Sequence, residues 1–594
     1  TMKFSQMEYQ RPNVDEMIEQ YKQITERFPN CKNAKEQMKC ILEHESIMKA
    51  YQTMSTLAYI HNSINTADEF YAQEKAFYNE KSPVIQEYEQ AFLQVVYDSK
   101  FRKELEKELG TLFFENIKVA LRSFSPEIIP LLQQENELTT EYQKLLASAK
   151  IEFDGKELNL STITTYLQDL DRTVRKEAWK KCAAFFEEHA QKLDEIYDQL
   201  VKNRDEQARK LGYANYVQLG YDRLGRNCYR ASDVKVFRDQ IIRDLVPVTV
   251  TIRKMQAQRI GVDEIKLHDT GVSFTDGNPK PNGETQELVS AAQKMYDEMS
   301  PKTSEFFTFM RENELFDLES KQNKAGGGYC TELPDYQSPF IFSNFNGTSG
   351  DVDVLTHEAG HAFAAYQARN MEIRENASTT METAEVHSMT MELMARPWAE
   401  LFFGNDAEKF RVFQLESALN FIPYGCLVDE FQHEVYENPK LTPQERKKLW
   451  LKLEKKYRPW LDFDNLPFFK DGGGFQKQHH IYCYPFYYID YCLAQTVALE
   501  FWSKSNRDWK KAFDEYLEAK ELGIETKPVI LGAFTLLKLL KFSGNRKQKD
   551  VIDDMVIAYM DILTKFHSIG AQWIQFDEPY LVRDLSKEDI ALFH

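Results

Sequence analysis

The stretch Thr356–Phe363, THEAGHAF, sets two histidines four residues apart, with a glutamate directly after the first. On an α-helix, residues i and i+4 lie on one face, one turn apart. Both imidazoles then project toward one point, where two ring nitrogens can meet a zinc ion. Glu358 is turned about 100° from His357 around the helix, close enough to reach a water on that ion without ligating it. The flanking sequence, GTSGDVDVLTHEAGHAFAAYQARN, supports a helix, with Ser349 or Asp351 as cap and Asp351 and Asp353 at the positive N-terminal end. Gly360 inside it signals a packing requirement, since an interior glycine costs ~1 kcal/mol.

A catalytic zinc site needs a third protein ligand and leaves a fourth position for water. The segment STTMETAEVHSMTMELMARPW, residues 378–398, predicts a second helix bearing Glu382, Glu385 and Glu392 on neighbouring turns. Glu382 and Glu385 are i, i+3 neighbours, so spacing leaves both open as the ligand. Asp353 and Glu392 are candidates to orient the histidines from behind.

Elsewhere helical periodicity dominates. Met17, Tyr21, Ile24 and Phe28 line one face of a helix, with Asn13 and Glu16 spaced as a capping box. Residues 36–62, 66–81, 84–110, 135–148 and 172–211 read likewise, and Thr442, Pro443 and Glu445 open another helix. Strand signals are confined to a short β-like piece in 268–284 and to PFIFSNF within 326–347. The expected fold is therefore mainly α with one small sheet just before the motif helix. Residues 1–190 would form a helical N-terminal lobe and residues 191–594 the catalytic region.

With 93 acidic against 74 basic side chains, the formal charge of −19 repels phosphate and anionic lipid. Neither nucleic acid nor membrane is an expected partner. The most apolar run, VILGAFTLLKLL at 529–540, is too short and too interrupted by Lys538 to span a bilayer. Eight scattered cysteines without a CxxC pair read as free thiols, and the start TMKFSQMEYQ carries no basic-then-apolar signal region. A cytoplasmic location is expected.

Two further stretches bear on the site. In KDGGGFQKQHHIYCYPFYYIDYCLAQ, residues 470–495, Pro485 predicts a helix start, with Tyr484 at its mouth and Tyr488 and Tyr491 in line behind it. Aromatic clusters of this kind also serve as packed core. The glycine runs at 325–329 and 471–475 lack the Lys-Ser/Thr ending of a phosphate loop. Gly327 and Gly328 would instead let backbone approach a substrate peptide. The PFIFSNF strand, through Phe342, would be the edge that pairs with it.

The passages NFNGTSGDVDVLTHEAGHAF and ETAEVHSMTMEL resemble the thimet oligopeptidase/oligoendopeptidase F family of zinc metallopeptidases. Residues 171–216 and DEFQHEVYENP, 429–439, are similar to its oligoendopeptidase F branch, and the likeness is expected from about residue 150 to the C-terminus. The family's ligand glutamate lies about 25 residues beyond the second histidine, with a serine three and a glutamate seven residues later. Glu385, 24 past His361 and followed by Ser388 and Glu392, fits that pattern, which implies His357, His361 and Glu385 as ligands of one zinc ion. The resemblance also implies a histidine followed by tyrosines five, nine and twelve residues on. His479 with Tyr484, Tyr488 and Tyr491 matches; His480 is one residue out of register, and the two histidines remain alternatives. In the family the first and last tyrosines donate to the oxyanion, the middle one here being a substrate contact.

The resemblance thus implies a zincin-like endopeptidase that cuts oligopeptides in a deep channel between two helical lobes, with Glu358 as general base. The alternatives are a zinc dipeptidyl carboxypeptidase of angiotensin-converting type and a non-catalytic peptide-binding protein that keeps a metal.

Overall fold

The computed structural model describes residues 2–521 and, beyond them, 529–531, 533, 536, 547–568, 575–578, 586–587 and 589–590. Contacts divide the chain into two units, Thr1–Tyr516 and Leu517–His594. The expected border near residue 190 lies inside the first unit, whose helices Arg172–Glu188 and Ala190–Lys210 both belong to one core.

The first unit is mainly α. Helix Val14–Arg27 buries Met17, Tyr21 and Ile24, and the Asn13 side chain accepts the Glu16 amide. It packs with two long helices, Ala34–Ile64 and Glu69–Tyr97. The second of these runs straight through the break expected between residues 81 and 84. Pro83 lies inside it and has no N–H to give the Asn79 carbonyl four residues earlier. The Asn136 side-chain amide, from helix Ile129–Ala147, supplies that donor at 3.0 Å. Helix Pro443–Tyr457 begins as expected, with reciprocal Thr442 and Glu445 hydrogen bonds of 3.2 and 2.8 Å.

Two strands, β1 (Ile151–Phe153) and β2 (Lys156–Leu158), form a small antiparallel hairpin. The sheet beside the site has three strands: β3 (Phe316–Glu319), β4 (Tyr329–Leu333) and β5 (Ser338–Phe345). Their spatial order is β3-β5-β4, with β3 parallel and β4 antiparallel to β5. The expected edge strand PFIFSNF is thus the centre of the sheet, which explains its nearly continuous burial. The sheet's edges are β3 and β4, and β4 is the one that lines the cavity at the site. Phe342 is fully buried, its ring stacked on Tyr329 at 4.5 Å.

Residues 268–284 contain no strand. Asn278 does the work a ladder would do, accepting the Ser273 amide at 2.9 Å and donating to the Gly271 carbonyl at 2.6 Å.

In the second unit, β6 (Val529–Leu531) pairs in parallel with β7 (Gln575–Asp577), and helix Ile552–Ser568 lies between them in sequence. Most of the apolar run 529–540 lies outside the described residues. Among the described residues no helix is long and apolar enough to cross a membrane.

Candidate active site

The motif helix spans Gly350–Ala368. Its start is not capped by the Ser349 side chain. Asp351 instead turns back to accept the amides of Asn346 and Gly347 at 2.9 and 2.8 Å, fixing the loop that leaves β5. The glutamate helix, Met381–Met394, crosses the motif helix at Gly360. A Cβ there would lie 2.7 Å from both the His387 carbonyl oxygen and the Ser388 Cα, so only glycine permits this approach.

That close crossing brings three donors together. The Nε2 atoms of His357 and His361 lie 3.1 and 3.3 Å from the same oxygen, Oε2 of Glu385. Ligands held tetrahedrally at the length of a zinc–nitrogen bond are separated by about 3.3 Å, so the cluster has the spacing of a zinc site. Two imidazoles and a carboxylate are also the right donor types for that ion. Among the described residues this is the only His, Cys, Asp and Glu cluster with such convergence. Glu382 lies elsewhere, where its charge bears on Asp490 and Cys228.

Surrounding groups aim these donors. Nδ1 of His357 is 2.5 Å from Glu392 Oε1, which leaves Nε2 toward Glu385. Burial and the nearby Glu392 push the carboxyl of Asp353 well above the usual range, with His357 acting in the opposite direction. The Ser388 hydroxyl donates to Glu385 Oε2 at 2.8 Å, and the Tyr487 hydroxyl donates to Glu385 Oε1. Burial works against ionisation of Glu385, but His361 and His357 outweigh it and hold the carboxyl well below its ordinary value.

Glu358 is buried and its Oε2 has no hydrogen-bond partner among the described residues. Burial raises its carboxyl above the usual range, while the two histidines act in the opposite direction. A Cβ at Gly328 would come within 3.4 Å of Glu358 Oε1, so the glycine run places backbone against the glutamate. Gly327, at φ +81, makes the turn that leads there.

These groups face a cavity of about 1160 Å³, lined also by Tyr59 of helix Ala34–Ile64, by β4, and by His479, His480, Tyr484, Tyr487 and Tyr491. The helix expected from Pro485 starts four residues later, at Ile489, because Phe486 adopts φ +67. This kink turns Tyr487, rather than Tyr488, into the cavity. Tyr488 packs instead against Phe421 and Tyr424.

A directional relay ends at Tyr491. The Tyr424 hydroxyl donates to Gln478 Oε1 at 2.7 Å, and the Gln478 amide meets His480 Nδ1 at 3.0 Å. With Nδ1 accepting, Nε2–H of His480 donates to the Tyr491 oxygen, 3.2 Å away. The phenol's own hydrogen is then available to the cavity. Burial, reinforced by His479, drives His480 down to about 3, so the ring is neutral near pH 7. His479 is likewise lowered, to about 4, by burial and Lys75, and its ring lies 5.4 Å from that of Tyr484.

Residues 4–124 match the Peptidase M3 N-terminal domain, and residues 165–519 match Peptidase family M3. The chain belongs to the peptidase M3 family. The solved structure of PZ peptidase A with inhibitor 2 is 46% identical, with a TM-score of 0.87 over 87% of this chain and 92% of that one. A structure described as an oligoendopeptidase F from Bacillus anthracis str. Ames is 40% identical, with a TM-score of 0.82 over 96% and 99%. This M3 chain is a metalloendopeptidase of the oligoendopeptidase F branch.

The M3 family models match from residue 4, earlier than residue 150, and end at residue 519. Residues 499–594 match the Cobalamin-independent synthase, N-terminal domain. Over 83 residues the chain is 54% identical to the 5-methyltetrahydropteroyltriglutamate–homocysteine methyltransferase of Campylobacter jejuni (strain RM1221) and 48% identical to that of Streptococcus thermophilus. Those matches span 11% of the length of these relatives. No residue of the M3 site lies in this segment.

Proposed function

We propose that the chain is a zinc-dependent endopeptidase that hydrolyses short, unstructured peptides. The observation that carries this reading is the pair of 3.1 and 3.3 Å separations from two imidazole nitrogens to one carboxylate oxygen, beside an unpartnered glutamate.

A zinc ion held by His357, His361 and Glu385 would polarise the scissile carbonyl and lower the pKa of water. Glu358, poised upward by burial, takes the proton of the attacking water and hands it to the leaving amine. Tyr491, its oxygen already occupied by His480, turns its hydrogen to the charge that develops on the carbonyl oxygen. Tyr484 lies across the same cavity, 43% exposed, as a second donor. The open edge of β4 offers backbone groups to an extended peptide, and Gly327 and Gly328 let that peptide approach Glu358. A folded substrate would not thread a cavity roofed by the N-terminal helices, which is why short peptides are the expected class.

Glu358→Gln tests the scheme. The variant is expected to bind one equivalent of zinc and to lose at least about 10²-fold in turnover. Retained turnover would refute Glu358 as the base. Mass spectrometry of a mid-length peptide blocked at its C-terminus should show internal, chelator-sensitive cleavage; an uncut peptide would favour the carboxypeptidase alternative.

A further inference from the structure

The backbone that leads to Tyr491 bends where bending costs free energy. Phe486 adopts φ +67, which a bulky residue keeps only where its surroundings hold it there. The Gln432 side chain accepts its amide at 3.0 Å, and Arg226 Nη2 donates to its carbonyl at 2.5 Å. Its ring fills a slot between Tyr221, His433 and Tyr436. A Cβ on Gly220 would stand 2.6 Å from that ring, so glycine keeps the slot open.

Arg226 holds a second point as well. The same nitrogen, Nη2, donates to Asp490 Oδ1 at 2.8 Å, and both side chains of this ion pair are fully buried. The Tyr229 hydroxyl donates to the same oxygen at 3.3 Å. The Asp490 amide in turn donates to the Tyr487 carbonyl at 2.9 Å. Phe486 and Asp490 bracket Tyr487, Tyr488 and Ile489, so one nitrogen ties both ends of the bend. Helix Ile489–Ser505, which carries Tyr491 in its first turn, has no side-chain cap at its start. Asp490 anchors that turn instead, directly before Tyr491.

The clamp is itself fixed. Arg226 follows helix Tyr216–Arg223, and its amide donates to the Tyr221 carbonyl at 3.2 Å. Its guanidinium carbon lies 4.5 Å from the centre of the Tyr221 ring and 5.6 Å from that of Tyr229. A planar guanidinium packed on two rings has little freedom to turn. Among the described residues that line the cavity are Tyr487 and Tyr491, but neither Arg226 nor Asp490. Any part this pair plays in the reaction passes through the tyrosine wall.

We propose that Arg226, acting through Asp490 and the Phe486 carbonyl, is a positioning residue for the hydroxyl of Tyr491. This rests on the peptidase reading above, in which Tyr491 donates to the charge developing on the carbonyl oxygen. A donor acts on that charge only if it is aimed before the charge forms, so the clamp bears on turnover rather than on substrate binding.

Removing one partner would strand a buried charge, so the test variant joins Arg226→Met with Asp490→Asn. Four quantities are read: kcat, KM, zinc affinity by chelator competition, and inhibition by a phosphinic peptide, whose tetrahedral anion stands in for the attacked carbonyl. Turnover and phosphinic-peptide affinity should each fall about 10-fold, with KM and zinc affinity unchanged within about twofold. Arg226→Lys alone should keep most of the turnover that the pair variant loses. The pair change made in a Tyr491→Phe background should cost almost nothing further, because the group it aims is gone. An additive loss there, or a folded pair variant with wild-type turnover, would overturn the proposal. So would zinc loss and a rise in KM in step with the fall in kcat, which mark general loosening. If the pair variant does not fold, Arg226→Lys enters the same cycle with Tyr491→Phe, and an additive loss again overturns the proposal. The peptidase reading is judged separately, by chelator-sensitive cleavage of a peptide by the wild-type protein.

Discussion

The site has two walls built on different principles. The metal wall is two regular helices crossing at Gly360, and periodicity places His357, His361 and Glu358 on the first of them. The tyrosine wall is irregular backbone, and its carbonyls and amides are held by side chains reaching in from neighbouring helices. Arg204 donates to the Tyr482 carbonyl at 2.6 Å, Arg226 to the Phe486 carbonyl at 2.5 Å, and Gln432 accepts the Phe486 amide at 3.0 Å. Regular structure satisfies its own polar groups, whereas irregular structure borrows partners and exposes itself to distant mutations.

The largest effect should come from the support of the tyrosine wall. Asp429 is fully buried on helix Ala407–Glu437, one turn before Gln432, and pairs with Arg238 at 2.5 Å and His433 at 3.4 Å. Arg238→Met leaves that carboxylate without its main partner and should cost about 3–5 kcal/mol in denaturant unfolding. Burial opposes ionisation of Asp429, but His433 and Arg238 outweigh it and bring the group to about 2. A depressed carboxyl stabilises the fold above its unfolded value of about 3.9, and that contribution is lost as pH falls toward 2. Unfolding curves between pH 4 and pH 2 should therefore be flatter in Asp429→Asn than in wild type.

Next in size, Tyr491→Phe should lower turnover by about 10²-fold with zinc content unchanged, separating the two walls in one variant. Near-normal turnover would assign Tyr491 to packing. Conversely, Glu392→Gln should weaken zinc binding by about 10-fold in a chelator competition while leaving the His480–Tyr491 contact in place. The smallest expected effect is far from both walls. Asn136→Ala removes the donor that serves the carbonyl orphaned by Pro83, and should cost about 1 kcal/mol; no change in stability would mean that water replaces it.

What the sequence revealed follows the same division. The histidine pair, the candidate base and the glycine at the crossing could be read because a helix repeats every 3.6 residues. The family resemblance, rather than spacing, distinguished Glu385 from Glu382. Tyr487 escaped notice because a helical register drawn through Tyr484, Tyr488 and Tyr491 assumes regular backbone, and Phe486 at positive φ breaks it. The order of the sheet was misread for a related reason: β5 looks like an isolated strand in sequence, and its partners β3 and β4 are too short to announce themselves. Pro83 looked like a helix end because its compensating donor sits 53 residues away in the chain.

Helix Trp509–Glu521 falls largely in the stretch, 499–519, that the M3 and the synthase matches share. Its indole at Trp509 donates to the Met394 carbonyl at 3.1 Å, and its phenol at Tyr516 donates to the His387 carbonyl at 2.9 Å. Both acceptors belong to the glutamate helix, so this segment clamps the far side of the metal wall. The clamp is complete by Tyr516, the residue at which the first unit ends. A helix whose tertiary bonds are made in its first eight residues holds the glutamate helix without help from its last turn. The M3 match ends at residue 519, three residues past the last of these bonds.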